Sequence, residues 1–281
     1  PQARRMQAVL AQSVQSWIDH RAGSKGAALA FYTLFSMTPI LILAIAGAGY
    51  FFGEDAARGE IMAQVEGLVG RNGAQAIQAL LAGAQDTDTG LTATMVASVL
   101  LLIGATTVFV ELKGSLDELW GLEPPKGLAI IAYLRTRLHA FGLVLVLAFL
   151  LLVSLVLSAA LALLERHASI LWSGSYTVLA VLSSATTFGV IACLFAVIFR
   201  FLPAIRLPWR DVWVGAVFTA ILFSLGKYVI GAYLGNSGVA SSFGAAGSII
   251  ALLLWVYYSA QIFFLGAEFT RQYALACGSL R

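Results

Sequence analysis

The chain has 281 residues, of which 60% are hydrophobic and only 11% charged, with a formal net charge of +3. Ordinary soluble domains carry about a quarter charged residues. That composition excludes a solvated globular enzyme and points to a chain whose apolar residues face lipid as well as each other.

The first element, "RRMQAVLAQSVQSWIDHR" over residues 4–21, places Met6, Leu10, Val14 and Trp17 at helical spacing between basic ends. Two readings stay open: a helix on the cytoplasmic leaflet, favoured by anionic lipid, and a helix packed on the bundle. The chain begins at Pro1 without a recognisable signal peptide, so a native start is expected to be missing.

Six apolar blocks follow, near 27–52, 91–112, 138–164, 176–202, 212–234 and 248–270. Each is long enough to cross about 30 Å of hydrocarbon at roughly 1.5 Å per residue. The blocks are continuous rather than alternating, which excludes a barrel. Between the first two lies an insertion in which Ile61, Val65, Leu68 and then Ile77, Leu80, Leu81 recur at helical spacing, interrupted by "GRNG" at 70–73. This predicts a helical hairpin capping the outer mouth.

Orientation follows from the cations. Arg4, Arg5, Arg21, Lys25, Lys113, Lys126, Arg135, Arg137, Arg200, Arg206, Arg210, Arg271 and Arg281 fall on one side of the expected bilayer; Arg58, Arg71 and Arg166 fall on the other. The positive-inside rule makes the first side, with both termini, cytoplasmic. The fold class is therefore all-α: a polytopic membrane protein with six transmembrane helices, an N-terminal amphipathic helix and a periplasmic helical hairpin. The expected organisation is a cytoplasmic helix over 1–26, a membrane domain over 27–271 with its insertion at 53–90, and a cytoplasmic tail over 272–281.

Soluble-enzyme chemistry finds no motif. The three histidines, His20, His139 and His167, are far apart, and the two cysteines, Cys193 and Cys277, fall at different depths. No zinc spacing, nucleotide-binding loop or nucleophile elbow occurs. Ser224 and Lys227 lie three apart on one span, but serine serves such helices as a small packing residue. No catalytic residue, metal or cofactor is expected, and the cations track one membrane side rather than forming a nucleic-acid groove.

Polar residues inside spans are costly, so they are the functional candidates. Span six carries Tyr257, Gln261 and Glu268 on one stripe. Span one carries Tyr32 and Ser36 four apart, with Pro39 freeing a backbone carbonyl. Lys227 lies about 24 Å along span five from Asp211. These seven, Tyr32, Ser36, Pro39, Lys227, Tyr257, Gln261 and Glu268, are expected to line a substrate path; Glu111, Arg200, Glu268 and Arg271 are expected to form ion pairs at the cytoplasmic surface, with Arg200 or Arg271 as the partner of Glu268. Plainer roles, interhelical bonding for Gln261 and snorkelling for Lys227, stand beside the path.

Three segments carry a resemblance: "GAALAFYTLFSMTPILILA" at 26–44, "FRFLPAIRLPWRDVWVGAVFTAILFSLGKYVIGAYLGNS" at 199–237 and "FGAAGSIIALLLWVYYSAQIFFLGAEFTR" at 243–271. Together they resemble the YihY/BrkB family of bacterial inner-membrane proteins, formerly labelled ribonuclease BN. The family's motif positions correspond to Tyr32, Ser36, Pro39, Pro203, Trp209, Asp211, Gly215, Tyr233, Gly244, Gly247, Trp255, Gly266, Ala267 and Glu268, with Phe243 where the family often has Tyr. The resemblance implies an inner-membrane protein of envelope integrity, not a ribonuclease. It implies transport of phospholipid toward the periplasm and outer membrane, with membrane phospholipid and a periplasmic AsmA-like bridge protein as partners. A structural envelope scaffold without a path, or a small-solute or ion transporter, are the alternatives.

Overall fold

The computed structural model describes residues 2–85, 91–122, 141–142, 145–146, 150, 175–205, 207–236 and 247–280. These residues are helical almost throughout: α1 (Gln2–Asp19), α2 (Ala22–Phe52), α3 (Glu54–Gln85), α4 (Leu91–Leu119), α5 (Ser175–Phe201), α6 (Trp209–Asn236) and α7 (Gly247–Ala276). Among the described residues, four stretches are long and apolar enough to cross a bilayer: Ala22–Phe51, Ser184–Phe201, Trp209–Tyr233 and Gly247–Ala276. The expected span at 91–112 falls within α4, which is not among those four. The span expected at 138–164 lies outside the described residues except at 141–142, 145–146 and 150.

Two backbone features set the junctions. Arg21, between α1 and α2, has a left-handed φ of 52°, the one such non-glycine residue among those described. Its carbonyl accepts from the N–H groups of Ser24 and Lys25, so α2 starts immediately after the bend. Gly53 has a φ of 87° and is the single residue between α2 and α3. A Cβ on Gly49 would come within 3.2 Å of the Glu54 Cα, a tight contact that glycine avoids beneath the turn.

The sequence "GRNG" does not interrupt α3, whose backbone stays helical from Glu54 to Gln85. Glycine in a helix costs about 1 kcal/mol relative to alanine, which tertiary packing can override. Asp55, Arg58, Gly59 and Met62 line one cavity of about 430 Å³ with Gln78, Leu81 and Ala82, and Met62, Ile77 and Leu81 share one core cluster.

The core has two parts joined by α7. Leu41 and Ile45 of α2, Met62, Ile77 and Leu81 of α3, and Leu252 and Val256 of α7 form one. Leu112, Leu116 and Leu119 of α4, Phe199 of α5, Val212 and Ala216 of α6, and Phe263 and Phe264 of α7 form the other. Exposed Ile221, Leu225, Tyr228, Val229 and Tyr233 leave an apolar outer face on α6, as a lipid-facing helix requires.

The α6–α7 seam is antiparallel and close. Gly215 faces Thr270 and Gly266 faces Thr219; a Cβ on either glycine would lie 1.8 Å or 2.0 Å from the opposing hydroxyl oxygen. Each threonine hydroxyl donates at 2.7 Å to the carbonyl of the glycine four residues before it, Thr219 to Gly215 and Thr270 to Gly266. Two of the motif glycines thus form a reciprocal clasp of small residues, the device by which helices approach where lipid supplies no hydrophobic drive.

Candidate functional site

Several helix ends converge on one side of the bundle. Lys25 at the start of α2 pairs at 2.6 Å with Glu118 at the end of α4. Asp117 pairs with Lys113 and accepts from the Ala204 backbone N–H at 2.8 Å, tying α4 to the α5–α6 loop. Asp211, in the first turn of α6 and 2% exposed, accepts from both the N–H and the hydroxyl of Ser279. The segment expected as a tail over 272–281 therefore begins as the last turn of α7 and folds back onto α6. This side carries Lys25, Lys113, Arg200, Arg210 and Arg271.

Glu268 lies at the centre of that side and is completely buried. Its Oε1 accepts from His20 Nδ1–H at 2.5 Å, and its Oε2 lies 4.0 Å from Arg271. Arg200, expected among its partners, donates instead to the Leu207 carbonyl and lies 5.7 Å above the Trp209 ring. The guanidinium is held locally because the α5–α6 loop brings the Leu207 carbonyl, seven residues on in the chain, within its reach. Glu111 is half-buried in α4. His20 was missed by sequence reasoning because it sits outside the spans, one residue before the left-handed bend. The available signal was the position of α1 itself: Ser16 and His20 lie four apart, and they meet Gln272 and Glu268, also four apart. Two matched pairs thus fix α1 antiparallel on the end of α7.

Above this knot, Gln261 Nε2 donates to the Ala22 carbonyl at 3.4 Å, and Gly26 makes room for the same amide. The Tyr257 hydroxyl approaches Gly23. Tyr257, Gln261 and Glu268 therefore all meet the α1–α2 junction. Ser36 is buried in α2, while Tyr32 is half-buried with its ring edge-on to Phe31. Pro39 does not end α2; its ring fits against Gly104 of α4, where a Cβ would come within 2.9 Å. Lys227 is half-buried, with Nζ 5.6 Å above the Tyr228 ring.

One lateral groove of about 380 Å³ opens between α1, α6 and α7. Val14 and Trp17 form its α1 wall, Leu222, Leu225, Gly226 and Val229 its α6 wall, and Tyr258, Gln261, Ile262 and Leu265 its α7 wall. Of the seven residues expected on a path, Gln261 lines this groove and the other six do not. Val14, Leu225 and Val229 are exposed at its rim. Among the described residues, no group of three or more His, Cys, Asp or Glu side chains is placed to hold a metal ion.

Helices of this length and apolarity, several of them presenting apolar outer faces, define a polytopic α-helical membrane protein. Residues 13–277 match the family described as Virulence factor BrkB, and the chain belongs to that family. It is similar to a UPF0761 membrane protein of Verminephrobacter eiseniae (strain EF01-2), 28% identical over 261 residues, 90% of this chain and 58% of the relative. A UPF0761 membrane protein of Pseudomonas aeruginosa (strain LESB58) is 26% identical over 89% of this chain and 59% of its own length. One from Tolumonas auensis (strain DSM 9187 / NBRC 110442 / TA 4) is 35% identical over a shorter stretch of 74 residues, 26% of this chain and 24% of its own length. The chain thus spans 58–59% of the length of the first two relatives. No solved structure matches it.

Proposed function

We propose that this chain binds phospholipid from the bacterial inner membrane and passes it toward the periplasm and the outer membrane. The observation that carries the reading is the groove between α1, α6 and α7, whose walls are almost entirely apolar and whose rim is exposed sideways, where bilayer lipid would lie. A solute path would need a polar lining closed to lipid; this lining suits an acyl chain. In this reading the basic side faces the cytoplasm, both termini lie there, and the full complement of spans is six. The α1 helix rests on the inner leaflet with Met6, Leu10, Val14 and Ile18, all exposed, toward the hydrocarbon, and with Arg4 and Arg5 near anionic headgroups. α3 caps the periplasmic mouth, where an AsmA-like bridge protein would receive lipid.

The binding step is tested by photocrosslinking in cells. Reactive side chains at Leu225 and Val229, on the groove rim, should capture phospholipid several-fold more efficiently than the same groups at Phe35 and Val181, which are exposed on other helices. Equal capture at both sets would reduce the groove to ordinary bilayer contact.

The orientation has its own test. Cys277 is exposed at the end of α7, and Ala56 is exposed near the start of α3. An impermeant thiol reagent should label Cys277 only in inverted vesicles, and a cysteine placed at Ala56 only in intact spheroplasts. The opposite pattern would reverse the topology.

A further inference from the structure

Two residues that line the groove each carry an unused hydrogen-bonding atom, one a donor and one an acceptor. Trp17 Nε1–H and Gln261 Oε1 are both buried and without hydrogen-bond partners, and both residues line the groove. The amide's orientation is not arbitrary. Nε2 donates to the Ala22 carbonyl, so it is the oxygen that is left over. The spare donor belongs to α1 and the spare acceptor to α7. Leaving such groups unpaired away from water is costly, so an occupant that satisfies both is favoured over one that satisfies neither or only one.

The geometry points to selection of the lipid by its head region: the groove takes a glycerophospholipid that carries an N–H or O–H donor as well as acceptor oxygens. This rests on the phospholipid reading and adds the class of head to it. Every glycerophospholipid has ester and phosphate oxygens able to accept from Trp17. Only some have a hydrogen for Gln261. An ethanolamine ammonium has one, and so does a terminal glycerol hydroxyl. A choline head is fully methylated at nitrogen and has none. Apolar contacts with the tails are common to all three, so they bind without discriminating, while the Trp17–Gln261 pair discriminates.

The experiment uses the whole chain, purified and offered phosphatidylethanolamine, phosphatidylglycerol and phosphatidylcholine of identical acyl chains in equal amounts, with bound lipid read by native mass spectrometry. Ethanolamine or glycerol lipid, or both, should be retained about tenfold over choline lipid, the size of one hydrogen-bond difference. The two donor-bearing lipids compared with each other identify the ammonium or the hydroxyl as the group used. Trp17→Phe keeps the ring and removes the donor; Gln261→Met keeps the length and removes the acceptor. Gln261→Met should lower the preference to about threefold or less, by weakening retention of the two donor-bearing lipids rather than of the choline lipid. Trp17→Phe should weaken all three lipids alike, because each offers an acceptor. Equal retention of choline lipid by the parent chain, or a preference that survives Gln261→Met, would overturn the selection while leaving lipid binding intact. A parent chain that retains no lipid in the groove would overturn both.

Discussion

His20→Ala should destabilise the protein more than His20→Ala combined with Glu268→Gln. The Glu268 side chain is completely buried, and its Oε1 depends on His20 for its hydrogen bond. Removing the imidazole strands a carboxylate with only Arg271, 4.0 Å from the other oxygen. Breaking a buried pair from one side costs roughly 3–5 kcal/mol. His20 is 30% exposed and Arg271 remains, so the loss should fall at or below the lower end of that range. Replacing the carboxylate by an amide of the same shape removes the stranded charge, so the second substitution should recover much of the loss. Glu268→Gln alone should be the mildest of the three, because the amide oxygen still accepts from His20. Thermal unfolding of the purified variants in one detergent gives the ordering. Losses that simply add, within about 0.5 kcal/mol, would show that the two side chains are not coupled.

The same pair marks how far the sequence could be read. Continuous apolar blocks announced helices, because a run of about 20 residues such as "SIIALLLWVYYSAQIFFLGA" has no other stable form in lipid. The cost of burying Glu268 announced that it needed a partner. Which partner was not legible, because partner choice depends on how α1 is laid along α7, and that depends on one left-handed residue, Arg21. Arg200 looked equally suitable by depth, yet depth along the membrane says nothing about azimuth around the bundle. The groove was hidden for the same reason. Its walls come from three helices, and α1, with Val14 and Trp17, is not a span at all. Gln261 was found because it is polar; Trp17 was read only as part of an amphipathic pattern, although its indole N–H faces the same requirement when buried.

Gly215→Ala should be destabilising although alanine is the better helix former. In an isolated helix the substitution would gain about 1 kcal/mol. Here the added Cβ would meet Thr270 at 1.8 Å from Oγ1, 2.7 Å from Cβ and 2.9 Å from Cγ2. All three atoms belong to a short, branched side chain whose hydroxyl is already committed to the Gly266 carbonyl, so it cannot simply rotate away. The helices must separate, and over-packing of this kind costs about 1–3 kcal/mol. The loss should exceed the gain in propensity. Thr270→Ser should not rescue the variant, since it removes only Cγ2 and leaves the closer oxygen and Cβ in place. Thr270→Gly should rescue it, because it exchanges which helix carries the small residue while keeping the separation. Gly266→Ala, opposed by Thr219 at 2.0 Å, should behave as its mirror. Unfolding measurements on the two single variants and the Gly215→Ala/Thr270→Gly pair decide the matter. A Gly215→Ala protein as stable as its parent would mean that the α6–α7 seam is looser than the Gly–Thr contacts require.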